Sequence, residues 1–127
     1  MIVRNPMHAL IVEPQAFTAC AIEFALRDIG YTSFDFAMSA EEAIACADQR
    51  RPDLITSAVH LEPGCGIATA ERICSRAPVP VVFITHEVSA VKRVDRDVAV
   101  VPKHPFLESE LSAAVASAVP LCRRAAA

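Results

Sequence analysis

Short, wholly apolar runs alternate with amphipathic segments along almost the whole of this 127-residue chain. Ala9-Leu10-Ile11-Val12 is continuous and not alternating, the pattern of a strand covered on both faces. Residues 16–29 then take up helical spacing: Phe17, Ala21 and Phe24 form one stripe, Ile22, Leu26 and Ile29 lie beside it, and Gly30 supplies the stop. Residues 32–37 read as a second strand. Ser39 followed by Glu42 is a capping box that opens a helix reaching about Gln49. Residues 54–59 form the third strand, and Pro63, Gly64 and Gly66 mark the loop after it. Ile67, Ala70, Ile73 and Cys74 then recur at helical spacing. The fourth strand is expected at 81–85, a short weak helix at 88–94 and a brief fifth strand at 99–101. The closing stripe of Leu107, Leu111, Ala114, Val115, Ala118 and Val119 predicts a last helix.

Strands that alternate with helices through short loops imply a parallel sheet with helices on both sides. The expected fold is α/β, a flavodoxin-like (βα)5 three-layer sandwich with a five-stranded parallel sheet. Residues 1–127 read as a single domain, with a core of about 7–119 and a frayed tail over 120–127. In such a sheet, ligands and catalytic groups gather at the carboxyl ends of the strands. Those ends carry Glu13-Pro14, Val59-His60, Thr85-His86 and Lys103-His104.

The bulk properties exclude several function classes. A net charge of −3 and a pI of about 5.8 give no electrostatic footprint for nucleic acid or an anionic membrane. The apolar runs are too short to span a bilayer, and the first residues lack the apolar stretch of a secretory signal. A cytoplasmic location is expected. Cys20, Cys46, Cys65, Cys74 and Cys122 show no Cys-x-x-Cys pair and are expected to be reduced and mostly buried, with Cys65 the best candidate for a reactive thiol. No Gly-x-Gly-x-x-Gly, Walker loop or Gly-x-Ser-x-Gly elbow is present, so no enzyme activity is expected.

The order Leu10-Ile11-Val12-Glu13, Gly30-Tyr31, Pro52-Asp53-Leu54-Ile55, Pro63-Gly64-x-Gly66, Pro80-Val81-Val82-Phe83-Ile84-Thr85 and Pro105-Phe106 resembles a bacterial response-regulator receiver domain. The family pattern calls for a phosphoacceptor aspartate after strand three, an acidic pair after strand one for Mg²⁺, a hydroxyl after strand four and a lysine after strand five. The chemistry explains the set: a carboxylate attacks phosphorus while cations offset charge on the group in flight.

Carried onto this chain, that pattern places Ala58 at the phosphoacceptor position and Glu13-Pro14 at the acidic pair, and retains Thr85. Lys103-His104-Pro105-Phe106 has one residue between Lys and Pro, so either Lys103 or His104 could hold the lysine's place. The aromatic residue of strand five is replaced at Val100 and Val101. A methyl group cannot accept phosphate, and Mg²⁺ binding is expected to be weak or absent, with no cofactor.

The resemblance therefore implies a stand-alone pseudo-receiver of bacterial signal transduction, working by protein–protein contact. Its expected partner is a histidine kinase or another signalling protein, with a homodimer through the Ala-rich last helix as a further possibility. Two other readings remain open. One is an ordinary phosphorelay receiver whose aspartate has been replaced by Ala58. The other is a small metal- or ligand-binding domain in which Glu13, His60, His86 and His104 form a zinc-like donor set. His8, at the far end of the sheet, reads as a surface residue.

Overall fold

In a computed structural model, residues 7–89, 91, 98–103 and 108–126 are described. The strands are β1 (His8–Val12), β2 (Ser33–Ala37), β3 (Leu54–Ser57), β4 (Val81–Thr85) and β5 (Ala99–Pro102). The helices are α1 (Ala16–Ile29), α2 (Ala40–Gln49), α3 (Gly66–Arg76) and α4 (Glu108–Ala126). The strands form one sheet in the order β2-β1-β3-β4-β5, and every pairing is parallel. This is the flavodoxin-like three-layer topology expected from the alternation of patterns.

Residue parity sorts the core into two layers. Ala9, Ile11, Leu54, Val82, Ile84 and Val101 face Ile22 and Leu26 of α1 and Leu111, Val115 and Ala118 of α4. Leu10, Val12 and Ile55 face the other way, onto Ala43 of α2 and Ile73 of α3. Because β1 is buried on both faces, its sequence does not alternate with exposed polar residues, which is why Ala9–Val12 reads as a continuous run.

Local signals act where the sequence places them. The Ser39 hydroxyl oxygen accepts the Glu42 backbone N–H at 3.2 Å and so caps α2. Gly30 ends α1 at φ 123°, a left-handed conformation that an L side chain rarely adopts, and its N–H reaches Leu26 O and Arg27 O. Asp53 ties the sheet's amino end together. Its N–H donates to His8 O at 2.7 Å, and its Oδ2 accepts the His8 N–H at 2.8 Å.

One choice that the spacing left open is decided, and one expectation needs correction. Phe17 and Phe24 do not face the core: they are 92% and 71% exposed, and α1 buries Ala19, Ile22, Ala25 and Leu26 instead. Both stripes satisfy helical spacing, and only the position of the sheet selects between them. His8 is not a surface residue but 2% exposed. It shares a face with Leu10 and Val12, and its ring bridges Ser33 Oγ at 2.8 Å and Asp35 Oδ2 at 2.9 Å. Helix α4 runs through Pro120 to Ala126.

The weak helix expected at 88–94 is described only at Val88, Ser89 and Val91, and its remaining positions lie outside the described residues, as does Leu107. Among the described residues no helix is long and apolar enough to cross a membrane.

The two faces of α1 predict opposite mutational costs. Leu26→Ala should lower stability by about 2–5 kcal/mol through loss of buried area and the cavity it leaves. Phe24→Ala should change it by no more than about 0.5 kcal/mol. Urea unfolding followed by circular dichroism at low micromolar protein checks both.

Candidate functional site

The strand order reverses between β1 and β3: the chain leaves β1 towards β2 and returns to build β3 on the other side. At that switch point the carboxyl ends of neighbouring strands leave a recess that no crossover covers. Glu13 follows β1 and Ala58 follows β3, and Ala58 N–H donates to Val12 O at 2.9 Å. Thr85 closes β4, and Lys103 follows β5. The Lys103 N–H donates to Thr85 O at 3.0 Å. Glu13, Ala58, Thr85 and Lys103, separated in sequence by up to 90 residues, thus meet at one end of the sheet.

The central interaction there is an ion pair. Lys103 Nζ lies 3.1 Å from Glu13 Oε1 and 3.2 Å from Oε2, with the directional hydrogen bond made to Oε2. The Gln15 backbone N–H donates to the same Oε2 at 3.0 Å. The Glu13 side chain is fully buried and that of Lys103 is 10% exposed. Two charges in so dry a place must neutralise each other, since neither can be withdrawn from water alone without a large desolvation penalty. Lys103 is thus the residue after β5 that reaches Glu13, while His104, the other candidate for the lysine's place, lies outside the described residues.

The remaining groups complete a tightly closed rim. Thr85 is buried, and its Oγ1 accepts the Glu87 N–H at 3.0 Å, making the turn that leaves β4. Ser57 Oγ donates to Ala58 O at 2.8 Å. Gly66, the first residue of α3, approaches so closely that a Cβ there would lie 1.8 Å from Ala58 O. Only glycine fits, and its N–H donates to Val59 O at 2.7 Å. Pro14 adds no side-chain oxygen beside Glu13.

Mg²⁺ demands near-octahedral oxygen ligation. The donor set does not meet that demand, because the one carboxylate present is engaged by a buried ammonium, and Pro14 and Ala58 supply no side-chain oxygen. Of the histidines expected there, His60 and His86 do not turn into the recess, and His104 lies outside the described residues. His60 is exposed and pairs with Glu87 at 3.5 Å, and His86 is exposed. Among the described residues no group of three or more His, Cys, Asp or Glu side chains is placed to hold a metal ion.

A family model described as the response regulator receiver domain matches residues 9–115. The chain belongs to that family. This receiver is 31% identical over 80 residues to the transcriptional regulatory protein PdtaR of Mycobacterium tuberculosis, a stretch covering 63% of this chain and 39% of PdtaR. It is 29% identical over 79 residues to a protein-glutamate methylesterase/protein-glutamine glutaminase of Hahella chejuensis, covering 62% of this chain and 23% of that one. The receiver therefore spans well under half the length of these curated relatives. Among solved structures it resembles the Erythrobacter litoralis PhyR response regulator receiver domain with a TM-score of 0.80, 26% identity and 91% of both chains covered. Receivers are signalling and not catalytic domains, and they work through contacts with a cognate signalling protein.

The cysteines differ from expectation. None of the five is buried: Cys20 and Cys65 are exposed, and Cys46, Cys74 and Cys122 are half-buried thiols. Burial raises the pKa of both Cys46 and Cys74. Asp35 and then Glu42 add to the shift at Cys46, while at Cys74 the backbone of Val79 and the charge of Arg51 partly offset it. A raised pKa leaves less thiolate at a given pH. Iodoacetamide at pH 8 should therefore alkylate Cys20 and Cys65 well before Cys46 and Cys74, as peptide mass mapping over time would show.

The ion pair predicts strong non-additivity. Glu13→Gln leaves a buried ammonium without its counter-charge and should cost about 3–5 kcal/mol. Glu13→Gln combined with Lys103→Met should cost clearly less than the two single changes together. Denaturant melts of the four proteins measure the coupling.

Proposed function

We propose that this receiver signals by protein–protein contact without aspartyl phosphorylation, as a pseudo-receiver. The observation that carries this reading is the Glu13–Lys103 pair closed beside Ala58. The two charged groups that a phosphorylation site would turn towards metal and phosphoryl oxygens are turned towards each other, next to a methyl group.

A ligand shifts a conformational equilibrium only by its differential affinity for the two states. With no carboxylate at position 58 there is no phosphoryl group to supply that difference, and the pocket's own charges hold one state. Whatever changes the domain's state must then come from a partner. By resemblance to its family that partner is a histidine kinase or another signalling protein. The absence of fitting Mg²⁺ donors and the substitution at Pro14 support a pocket altered at several points, beyond the single replacement of an aspartate by Ala58.

Acetyl phosphate with Mg²⁺, read by intact mass, tests this directly on the wild-type chain and on Ala58→Asp. Neither should gain the mass of a phosphoryl group, because Pro14 leaves the metal site incomplete and Lys103 is committed to Glu13. Ready labelling of Ala58→Asp would show a competent pocket and overturn the reading in favour of a receiver silenced only at position 58.

A further inference from the structure

Every large hydrophobic side chain exposed among the described residues lies on one flank of the molecule. Phe17 and Phe24 stand on the outer face of α1, and Phe36 (46%), Met38 (55%) and Met7 (45%) belong to β2 or its immediate surroundings. Phe36 is in register with Ile11, whose side chain packs under α1, so it projects to the same side of the sheet. Phe36 also stacks with Phe34 at 6.4 Å between centroids. Scattered single apolar residues need no explanation, but a contiguous patch does.

Two charges of α1 are engaged with each other beside the aromatic pair of β2. Glu23 pairs with Arg27 at 2.8 Å, and the Arg27 guanidinium lies over the Phe34 ring at 4.8 Å. Asp28 lines a cleft with Ser109 and Ser112 of α4. Between Phe17 and Phe24 the outer face carries Cys20 and Ala21. This order, large–small–small–large, reads the same in both directions about a point between Cys20 and Ala21, with the rings about 10 Å apart along the helix. An isologous two-fold contact needs a surface that maps onto itself, and such an order supplies one.

We propose that this face is a self-association surface, on which a second copy of the chain docks by an antiparallel α1–α1 contact about a two-fold axis between Cys20 and Ala21. In that arrangement Phe17 of each copy meets Phe24 of the other, and the small central residues let the helices approach. The exposed parts of Phe17 and Phe24 come to about 300 Å² per copy, with Phe36 and Met38 adding about 200 Å². Two copies thus offer about 1,000 Å² of apolar surface, at the lower bound for a specific interface. An interface of that size is expected to be weak and concentration-dependent. This proposal is independent of the phosphorylation reading, and it moves the dimer contact from the Ala-rich last helix to α1.

Sedimentation equilibrium of the full chain from about 1 to 500 μM tests it. A concentration-dependent monomer–dimer equilibrium is expected, weakened at least about tenfold by Phe17→Glu and by Phe24→Glu. Both positions are exposed, so each variant should keep the wild-type circular dichroism spectrum. Mild oxidation with copper phenanthroline should link Cys20 of one copy to Cys20 of the other, in preference to the equally exposed Cys65. A monomer at every concentration would overturn the proposal. So would a dimer indifferent to both substitutions, which would place the interface elsewhere.

Discussion

Both faces of the central strands must be buried, and the rest of the architecture follows from that requirement. A parallel sheet whose middle strands carry Leu10, Ile11, Val12, Leu54 and Ile55 has no wet side. Helices must cover it above and below, their connections must cross over the sheet, and the only uncovered ground lies at the strand ends. The switch point between β1 and β3 is therefore where a domain of this topology can place polar chemistry at all. In this receiver that ground is occupied by an ion pair.

The Glu13–Lys103 pair shows how buried charges find a partner in a recess that offers few others. A lysine and a glutamate left beside a methyl group cannot remain separately ionised in a dry recess, so each becomes the other's counter-charge. The contact joins the end of β1 to the end of β5, spanning the sheet from its centre to its edge strand. Gly66 works in the same direction: its approach to the Ala58 carbonyl brings α3 down onto the loop and leaves little room beneath it. The outer surface of α1 is by contrast unconstrained by the core, which is why large apolar residues there call for a partner and not for a packing explanation.

Much of the fold was legible because hydrophobic periodicity and punctuation are local. Ser39 caps α2, Gly30 stops α1, and Leu111, Val115 and Ala118 line the buried face of α4 as their spacing requires. The errors arose where two answers satisfied the same local rule. Phe17 and Phe24 have helical spacing as good as that of Ile22 and Leu26. Hydrophobicity alone ranks the phenylalanines higher, but the sheet lies on the other side. His8 looked peripheral as a polar residue near the start of the chain. Its parity with Leu10 and Val12 was the signal that it points inward, and its partners Ser33 and Asp35 lie on a strand that only β1–β2 pairing brings alongside.

The sequence by itself determined the order and type of the elements, the parallel sheet and the identity of the strand-end residues, since each depends on neighbours a few positions away. It also placed Ala58 directly after the third strand, where the family resemblance expects a carboxylate. Only the tertiary structure decided which face of α1 is covered, that Lys103 turns to Glu13, and that His60 pairs with Glu87 at the surface. Those outcomes rest on contacts between residues up to 90 positions apart. Their energies come from desolvation and close packing, which exist only once distant strands have been brought together.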